Sequence, residues 1–540
     1  MINSKRKEII AIIIILIIQT IVYVFWGLNK EYIHMDEAYS FGLVNYDKVE
    51  IQDNSDFYNT WHTKEYYKDY LIVNEDEKND FSSVYENQKN DVHPPLYYFL
   101  LRISMLGSIN EYSTIPGIIL NILIHLAITV LMYLILKKIL YSYSLNREKS
   151  LLISLVTAIT LSTISSVIYI RMYSLSTLNI LIITYLHILL FEKERYNVKI
   201  LGSIVVAALI GSLTHYYYLF YLGALFLIFV VKLIKNKEYS NLWKYIASLI
   251  IAGVTSLIIF PYSINHLFFG YRGQGAISKI LDYENLFKSI DQYILKLNTY
   301  TFSNLLIILL FGLFGLVFYN LGRKNVEKNK NIEKKIEKEK FKFSNKYISL
   351  ILIPTIVYFI FISISSPWVE LRYIMPICSL FFVLILIGIM HNIKTLVSEK
   401  KQNIILGSIL ILILINPFIF NLKPEQVYLD KKEIVSALEN ELNLPTIYVF
   451  NSSHNRFLDD ILLFSKLDNS YVAKDLEITE ENIVNILQGK DLSKGIIIFI
   501  NENQDNDSIL DVIKNATNLN NVKYLKRLNA CDVYYINNKQ

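Results

Sequence analysis

A few residue groups in this sequence have the types and spacing to do chemistry. Asp36-Glu37 stands a few residues beyond the first apolar run, and His93-Pro94-Pro95 closes the polar stretch that begins there. Arg171-Met172-Tyr173, His215-Tyr216-Tyr217 and Leu371-Arg372-Tyr373 sit at junctions between later apolar runs. A carboxylate beside an apolar segment is partly desolvated yet reachable, which suits a general base taking a proton from a hydroxyl. The same pair also reads as a solvated juxtamembrane acid pair. A Pro-Pro turn opening a helix leaves backbone N–H groups and a positive dipole end that favour an anion such as phosphate, with His93 as an added donor; the plainer reading is a helix-start signal. Guanidinium groups match phosphate oxygens bidentately, so Arg171 and Arg372 are candidate phosphate ligands, against a competing role as interfacial anchors. Tyr97, Tyr173 and His215 are further candidate substrate contacts, with a structural role the plainer reading for His215. Gly270-Tyr271-Arg272-Gly273-Gln274-Gly275 imitates a nucleotide loop, but no strand precedes it, and it reads as a mobile loop admitting lipid or acceptor.

The elements that must position these residues are membrane helices. The chain has 540 residues, 53% of them hydrophobic, with a formal net charge of only +5. That composition excludes an ordinary soluble domain and gives no case for a nucleic-acid partner. A helix crossing a hydrocarbon core needs about 20 apolar residues. Eleven such stretches occur, near 9–28, 113–136, 150–169, 172–191, 198–213, 216–234, 243–264, 301–321, 347–364, 373–390 and 402–420, almost purely apolar throughout. The first follows Lys5-Arg6-Lys7 like a signal peptide but is too long for one and reads as a retained anchor. Lys and Arg collect in alternate loops, which the positive-inside rule assigns to the cytosol. The expectation is a multi-pass protein of the cytoplasmic membrane with a cytosolic N-terminus and an extracytoplasmic C-terminal domain. Asp36, Glu37, His93, Arg171, His215 and Arg372 then all fall on the outer face.

The first outer loop, 29–112, is too long for a plain connector. Phe57, Tyr58, Trp61, Tyr66, Tyr67 and Tyr70 suit a helix lying in the membrane interface, and Pro95 to Leu101 begins a second. Residues 323–346 form a Lys/Glu-rich solvated run. The expected division is 1–421 for the membrane domain and 422–540 for a small α/β domain. Strands are expected at Thr446 to Phe450, Gly495 to Ile500, Val522 to Leu528 and Val533 to Ile536, with helices around 455–466, 479–488 and 506–517. Two cysteines, Cys378 and Cys531, supply neither a disulfide framework nor a metal cluster. No cofactor is expected; a divalent ion bridging a phosphate and Asp36 or Glu37 stays open.

In their order along the chain, Asp36-Glu37, His93-Pro94-Pro95-Leu96-Tyr97-Tyr98, Arg171-Met172-Tyr173-Ser174-Leu175, His215-Tyr216-Tyr217 and Arg372-Tyr373-Ile374-Met375-Pro376 resemble the GT-C membrane glycosyltransferases. Within them they are most similar to glycosyltransferase family 39, the protein O-mannosyltransferases, and its bacterial relatives, including the lipid A aminoarabinose transferases. The likeness covers roughly residues 5–390. It implies an inverting transfer of a sugar from a polyprenyl-phosphate carrier to a cell-envelope lipid, polymer or protein. By the same resemblance Asp36 is the base, Glu37 supports it, and His93, Arg171 and Arg372 hold the donor phosphate. Rival readings are a transporter or flippase of lipid-linked glycans, which should show polar or broken helices, and a non-catalytic membrane scaffold.

Overall fold

The computed structural model describes the chain apart from residues 1, 143–146, 194–195, 280–281, 327–333, 395, 429–437, 439–440, 451–456, 475–477, 503, 529–530 and 539–540. It divides into two compact units. The first holds Met1–Leu28, Val92–Tyr97 and Ile118–Glu425; the second holds Asn29–Asp91, Tyr98–Gly117 and Gln426–Gln540.

In chain order the membrane-region helices and their short neighbours are α1 (Ile2–Leu28), α2 (Met35–Asn45), α3 (Lys64–Asp69), α4 (Ser82–Asn90), α5 (Leu96–Met105), α6 (Ile115–Ser142), α7 (Arg147–Ala158), α8 (Leu161–Ile168) and α9 (Tyr173–Lys193). They continue with α10 (Val198–Ser212), α11 (Tyr218–Lys235), α12 (Tyr239–Ile259), α13 (Tyr271–Ser278), α14 (Tyr283–Lys296), α15 (Leu306–Val326), α16 (Lys334–Ser365), α17 (Leu371–Ile393) and α18 (Glu399–Ile419). Among the described residues 8 helices are long and apolar enough to cross a membrane, or up to 10 with two bent pairs. Each of the eleven expected stretches falls on one of the helices α1 to α18 or on a bent pair of them. Stretch 150–169 is the pair α7 and α8, bent by 54°, and 301–321 is the second arm of a pair bent by 99°. Stretch 198–213 is α10, only 15 residues long.

Each break has a local cause. Between α7 and α8 the hydroxyls of Thr160 and Thr163 both donate to the carbonyl of Thr157, competing with the helix's own bonding. At the sharper corner Ser303 and Asn304 take left-handed φ of 50° and 67°. Asn416 donates to the Ser303 carbonyl there, and the Asn298 side chain accepts from Leu306 N–H. Within the first unit α9 and α17 are the most enclosed helices, while α1, α12 and α18 turn most side chains outward. Bare apolar side chains such as Ile21, Ile258 and Phe418 are what lipid would cover. The spans are not purely apolar, however. His125, Ser154, Thr157, Ser166, Thr177 and Ser379 help line an enclosed cavity of about 20 Å³ beside the α7/α8 bend.

The second unit is built on a six-stranded sheet: β1 (Trp61–His62), β2 (Thr446–Val449), β3 (Ser470–Ala473), β4 (Ile496–Asn501), β5 (Asn521–Leu528) and β6 (Cys531–Asn537), in the order β1-β3-β2-β4-β6-β5. β3, β2 and β4 are parallel; β1, β6 and β5 pair antiparallel. Ile496-Ile497-Ile498-Phe499-Ile500 is a continuous apolar run because β4 is buried on both faces. Helices α19 (Ile461–Phe464), α20 (Glu480–Leu487) and α21 (Asn506–Thr517) accompany the sheet, and Ile483, Leu487, Ile509 and Ile513 join its core. Of the expected helix at 455–466, residues 455–456 lie outside the described residues, as do 327–333 of the Lys/Glu-rich run. The aromatic run at 57–70 does not form a single interfacial helix. Trp61 is in β1, with its indole N–H on the Ile486 carbonyl. Phe57, Tyr67 and Tyr70 are fully buried, with Phe57 against Phe457 and Tyr67 against Phe464. Phe57 and Tyr67 join an aromatic cluster with Phe457, Phe464 and Tyr448 of β2, while Tyr70 packs against Tyr46 and Gly42 of α2.

The gap between α8 and α9, which carries Arg171, depends on Asn121 of α6. Its amide donates to the carbonyls of both Val167 (3.0 Å) and Tyr169 (2.8 Å), where the helical ladder stops. Asn121→Ala should lower stability by about 1–3 kcal/mol, the cost of buried carbonyls losing their donor. Thermal unfolding of the purified protein in detergent checks this, and an unchanged midpoint would show that the turn holds without Asn121.

Candidate functional site

Four elements of the first unit place cationic and aromatic side chains together. Leu96 N–H, at the start of α5, donates to the Leu213 carbonyl (3.0 Å) in the turn between α10 and α11. One N–H expected to be available to an anion is therefore taken, and the contact sets His93 beside His215, ring centroids 6.0 Å apart. The α10–α11 turn is tight because Gly211 accepts from Thr214 and His215 N–H and leaves room for the Tyr218 ring, which a Cβ there would meet at 2.3 Å. The ring of Tyr173, the first residue of α9, lies tilted 5.4 Å from His215 and edge-on 6.2 Å from Tyr373. Tyr217 sits 4.8 Å from His215 and 6.1 Å from Tyr373. Arg171, at 5% exposure, lies in the Asn121-held gap, close enough for its charge to act on His215.

His215 is buried, and its Nδ1 accepts from Tyr217 N–H (3.1 Å), so in the neutral ring Nε2 carries the proton. Burial, then the neighbouring His93 and Arg171, hold its pKa well below the ordinary histidine value. It is thus an uncharged ring with a donor N–H, beside the charge of Arg171. Tyr97 is fully buried with its hydroxyl on Asn121, behind the arginine-bearing gap.

Arg372 stands at the start of α17 at 5% exposure, its guanidinium 5.1 Å from the Tyr373 ring. Its charge reaches Tyr217 and Glu425. Beside it is an ion cluster that sequence reading missed: Lys296 of α14 lies 3.2 Å from both Glu370 and Glu425. Glu425 is buried, which raises its pKa against the pull of Lys296. Three residues 55 or more positions apart carry no local signal of such a cluster. The Gly270–Gly275 stretch is not a loop but largely the helix α13, and Gly273 packs against the Leu267 carbonyl where a Cβ would meet it at 2.3 Å.

Asp36 and Glu37 belong to the second unit, in the first turn of α2, and they differ. Glu37 and Lys30 form an ion pair at 2.9 Å with both side chains fully enclosed. Lys30 also donates to the Gln426 carbonyl (3.0 Å), and the Glu37 carboxylate accepts His34 N–H (3.0 Å), closing a capping box in which His34 Nδ1 accepts Asp36 N–H. Asp459 accepts Met35 N–H (3.2 Å). Burial pulls the Lys30 ammonium below its ordinary pKa while Glu37 pulls it back. Glu37 therefore fixes the start of α2. Asp36 keeps about a fifth of its side chain exposed, 3.7 Å from His34, so of the two it is the carboxylate a substrate can reach. Among the described residues no group of three or more His, Cys, Asp and Glu is placed to hold a metal.

No family model and no curated protein matches the sequence. Two solved structures of ArnT from Cupriavidus metallidurans are similar to it. The one bound to undecaprenyl phosphate has 9% sequence identity over 97% of each chain and a TM-score of 0.49. The apo form has 10% identity over 97% of each chain and a TM-score of 0.45.

Two measurements follow from this geometry. Lys30→Met leaves the Glu37 carboxylate buried without its counter-ion and should cost about 3–5 kcal/mol, part of which Glu37→Gln in the same chain restores; additive losses in the double variant would argue against the pair. His215 has a depressed folded pKa, so the unfolded chain binds more protons, and stability falls as pH drops through its unfolded value of about 6.5. Midpoints of thermal unfolding should fall less between pH 7 and 5 in His215→Gln than in the wild type.

Proposed function

We propose that the protein is a membrane glycosyltransferase of the GT-C class, related to family 39, that moves a sugar from a polyprenyl-phosphate donor to a cell-envelope acceptor. The observation that carries the reading is the gathering of His93, Arg171, His215 and Tyr173 from three separate segments of one unit. In this reading Arg171 and His93 bind the donor phosphate, Arg372 adds charge to the same unit, and neutral His215 donates one hydrogen bond. The acceptor oxygen attacks the anomeric carbon as the bond to phosphate oxygen breaks, with inversion. Negative charge grows on the departing polyprenyl phosphate, where fixed cations stabilise the transition state more than the ground state. Asp36 takes the acceptor proton, and Glu37 acts through the α2 cap to hold it. One carboxylate suffices for a single displacement. A cytoplasmic-membrane location with these residues on the outer face is part of the proposal.

The broken α7/α8 pair and its hydroxyl-lined cavity favour the transporter reading more than the sequence did. The cavity of about 20 Å³ admits one water, not a sugar, and has no charged lining residue, so transfer remains the better account.

Asp36→Asn should abolish transfer from a polyprenyl-phosphate sugar in proteoliposomes while the protein still inserts and binds donor; full activity would sink the base assignment. Arg171→Ala should raise the apparent donor KM by tenfold or more, for loss of roughly 1.5–3 kcal/mol of charge-assisted bonding, with the acceptor KM little changed. Equal changes in both would remove the phosphate role.

A further inference from the structure

The first unit contains a second polar recess, of about 220 Å³, bounded by α14, the end of α16 and the strap Ser366–Val369. Asn285, Ser289 and Gln292 line it from α14, at spacings of four and three residues that set them on one helix face. Phe287 and Leu295 leave their side chains bare on other positions of the same helix, 71% and 63% exposed. The helix thus has a polar wall toward the recess and an apolar surface suited to lipid.

The strap is held firmly. Lys279 donates to the Ser366 and Pro367 carbonyls, both at 3.1 Å. Tyr293 bonds to the Ser366 hydroxyl (2.8 Å) and donates to the Trp368 carbonyl (3.2 Å). These bonds fix Trp368, which lines the recess with 55% of its surface exposed. The Arg272 guanidinium stacks 4.7 Å from its ring centroid and covers one face. The recess thus sets an exposed indole, one face of it under Arg272, beside amide and hydroxyl edges.

We propose that this recess is a subsite for a pyranose ring, whose apolar C–H face stacks on Trp368 while its hydroxyls meet Asn285, Ser289, Gln292 and Lys288. An anion is the poorer fit. Lys279 is committed to the strap carbonyls, and Lys288 shares the lining with the acidic Asp282, whose carboxylate caps α14 by accepting from Asn285 N–H. The volume lies below the roughly 300–1,000 Å³ of pockets that enclose drug-sized ligands, so it suits one ring of a longer glycan. Under the glycosyltransferase reading, on which this assignment of role rests, the ring belongs to the acceptor glycan.

The test uses the full-length protein in nanodiscs of zwitterionic lipid, without donor. Methyl β-D-glucopyranoside, methyl N-acetyl-β-D-glucosaminide, inorganic phosphate and short-chain phosphatidylglycerol are titrated separately, read by saturation-transfer difference NMR and tryptophan fluorescence. At least one glycoside should saturate in the millimolar range. Trp368→Ala and the exposed-site variant Gln292→Ala should each weaken it about tenfold, and Trp368→Phe, which keeps a ring, should weaken it less. No saturable glycoside binding, or binding indifferent to both alanine variants, overturns the proposal. Saturation by phosphatidylglycerol or phosphate alone also overturns it and assigns a headgroup or anion site. Because no transfer is measured, failure of the transferase reading leaves the binding result standing, and failure of binding leaves the Asp36 and Arg171 tests untouched.

Discussion

A helix that stops inside a low-dielectric bundle must find partners for the carbonyls it leaves behind, and much of the first unit depends on how this is done. A peptide group buried without a hydrogen bond costs several kcal/mol in hydrocarbon. Asn121 meets that demand at the α8/α9 gap by donating to two carbonyls at once. Arg171 occupies that gap outside any helix, its N–H on the Tyr169 carbonyl (2.8 Å). The α10/α11 turn is closed in the same way by Gly211 and Leu213, whose carbonyls take N–H groups from His215 and Leu96. Arg171 and His215 are thus each carried by an interruption between helices, and each interruption is stabilised by a polar contact from another element.

The second unit solves a different problem with the same economy. Burying Lys30 and Glu37 together costs desolvation that their attraction alone does not reliably repay. The pair is tolerated because both ends do more: Lys30 also satisfies the Gln426 carbonyl, and Glu37 also satisfies His34 N–H. The product is a helix start with little freedom, on which Asp36 is presented beside His34. Adjacent acids in sequence have diverged into a structural residue and a reachable one.

Periodicity and composition made the helical class legible, because an apolar run of about 20 residues has few other uses. β2, β4, β5 and β6 were legible for the same reason: Val, Ile, Tyr and Phe in short runs between turn residues. β3 at Ser470–Ala473 and β1 at Trp61–His62 were not, since four- and two-residue strands carry too little pattern and are defined by the strands they pair with. The aromatic run at 57–70 misled because the same rings suit a membrane interface and a protein core, and only long-range packing against Phe457 and Phe464 separates the two. In the candidate site, the special residue types were visible, but their partners were not. Lys30, Asn121 and Lys296 sit in unremarkable local contexts, and their roles arise from contacts more than forty positions away except for Lys30 with Glu37.

The aromatic residues between the cations complete the electrostatic argument. His215, Tyr217, Tyr173 and Tyr373 form a continuous series of ring contacts running from His93 to the start of α17, where Arg372 stands. Rings fill the space that water would take, and they do so with edges and faces that tolerate a guanidinium. Less water means a lower local dielectric, in which each fixed charge acts more strongly on its neighbours. Burial, then the nearness of His93 and Arg171, holds the pKa of His215 well below the ordinary histidine value, so its neutral form is favoured. A group kept neutral in this way can donate a hydrogen bond without adding charge.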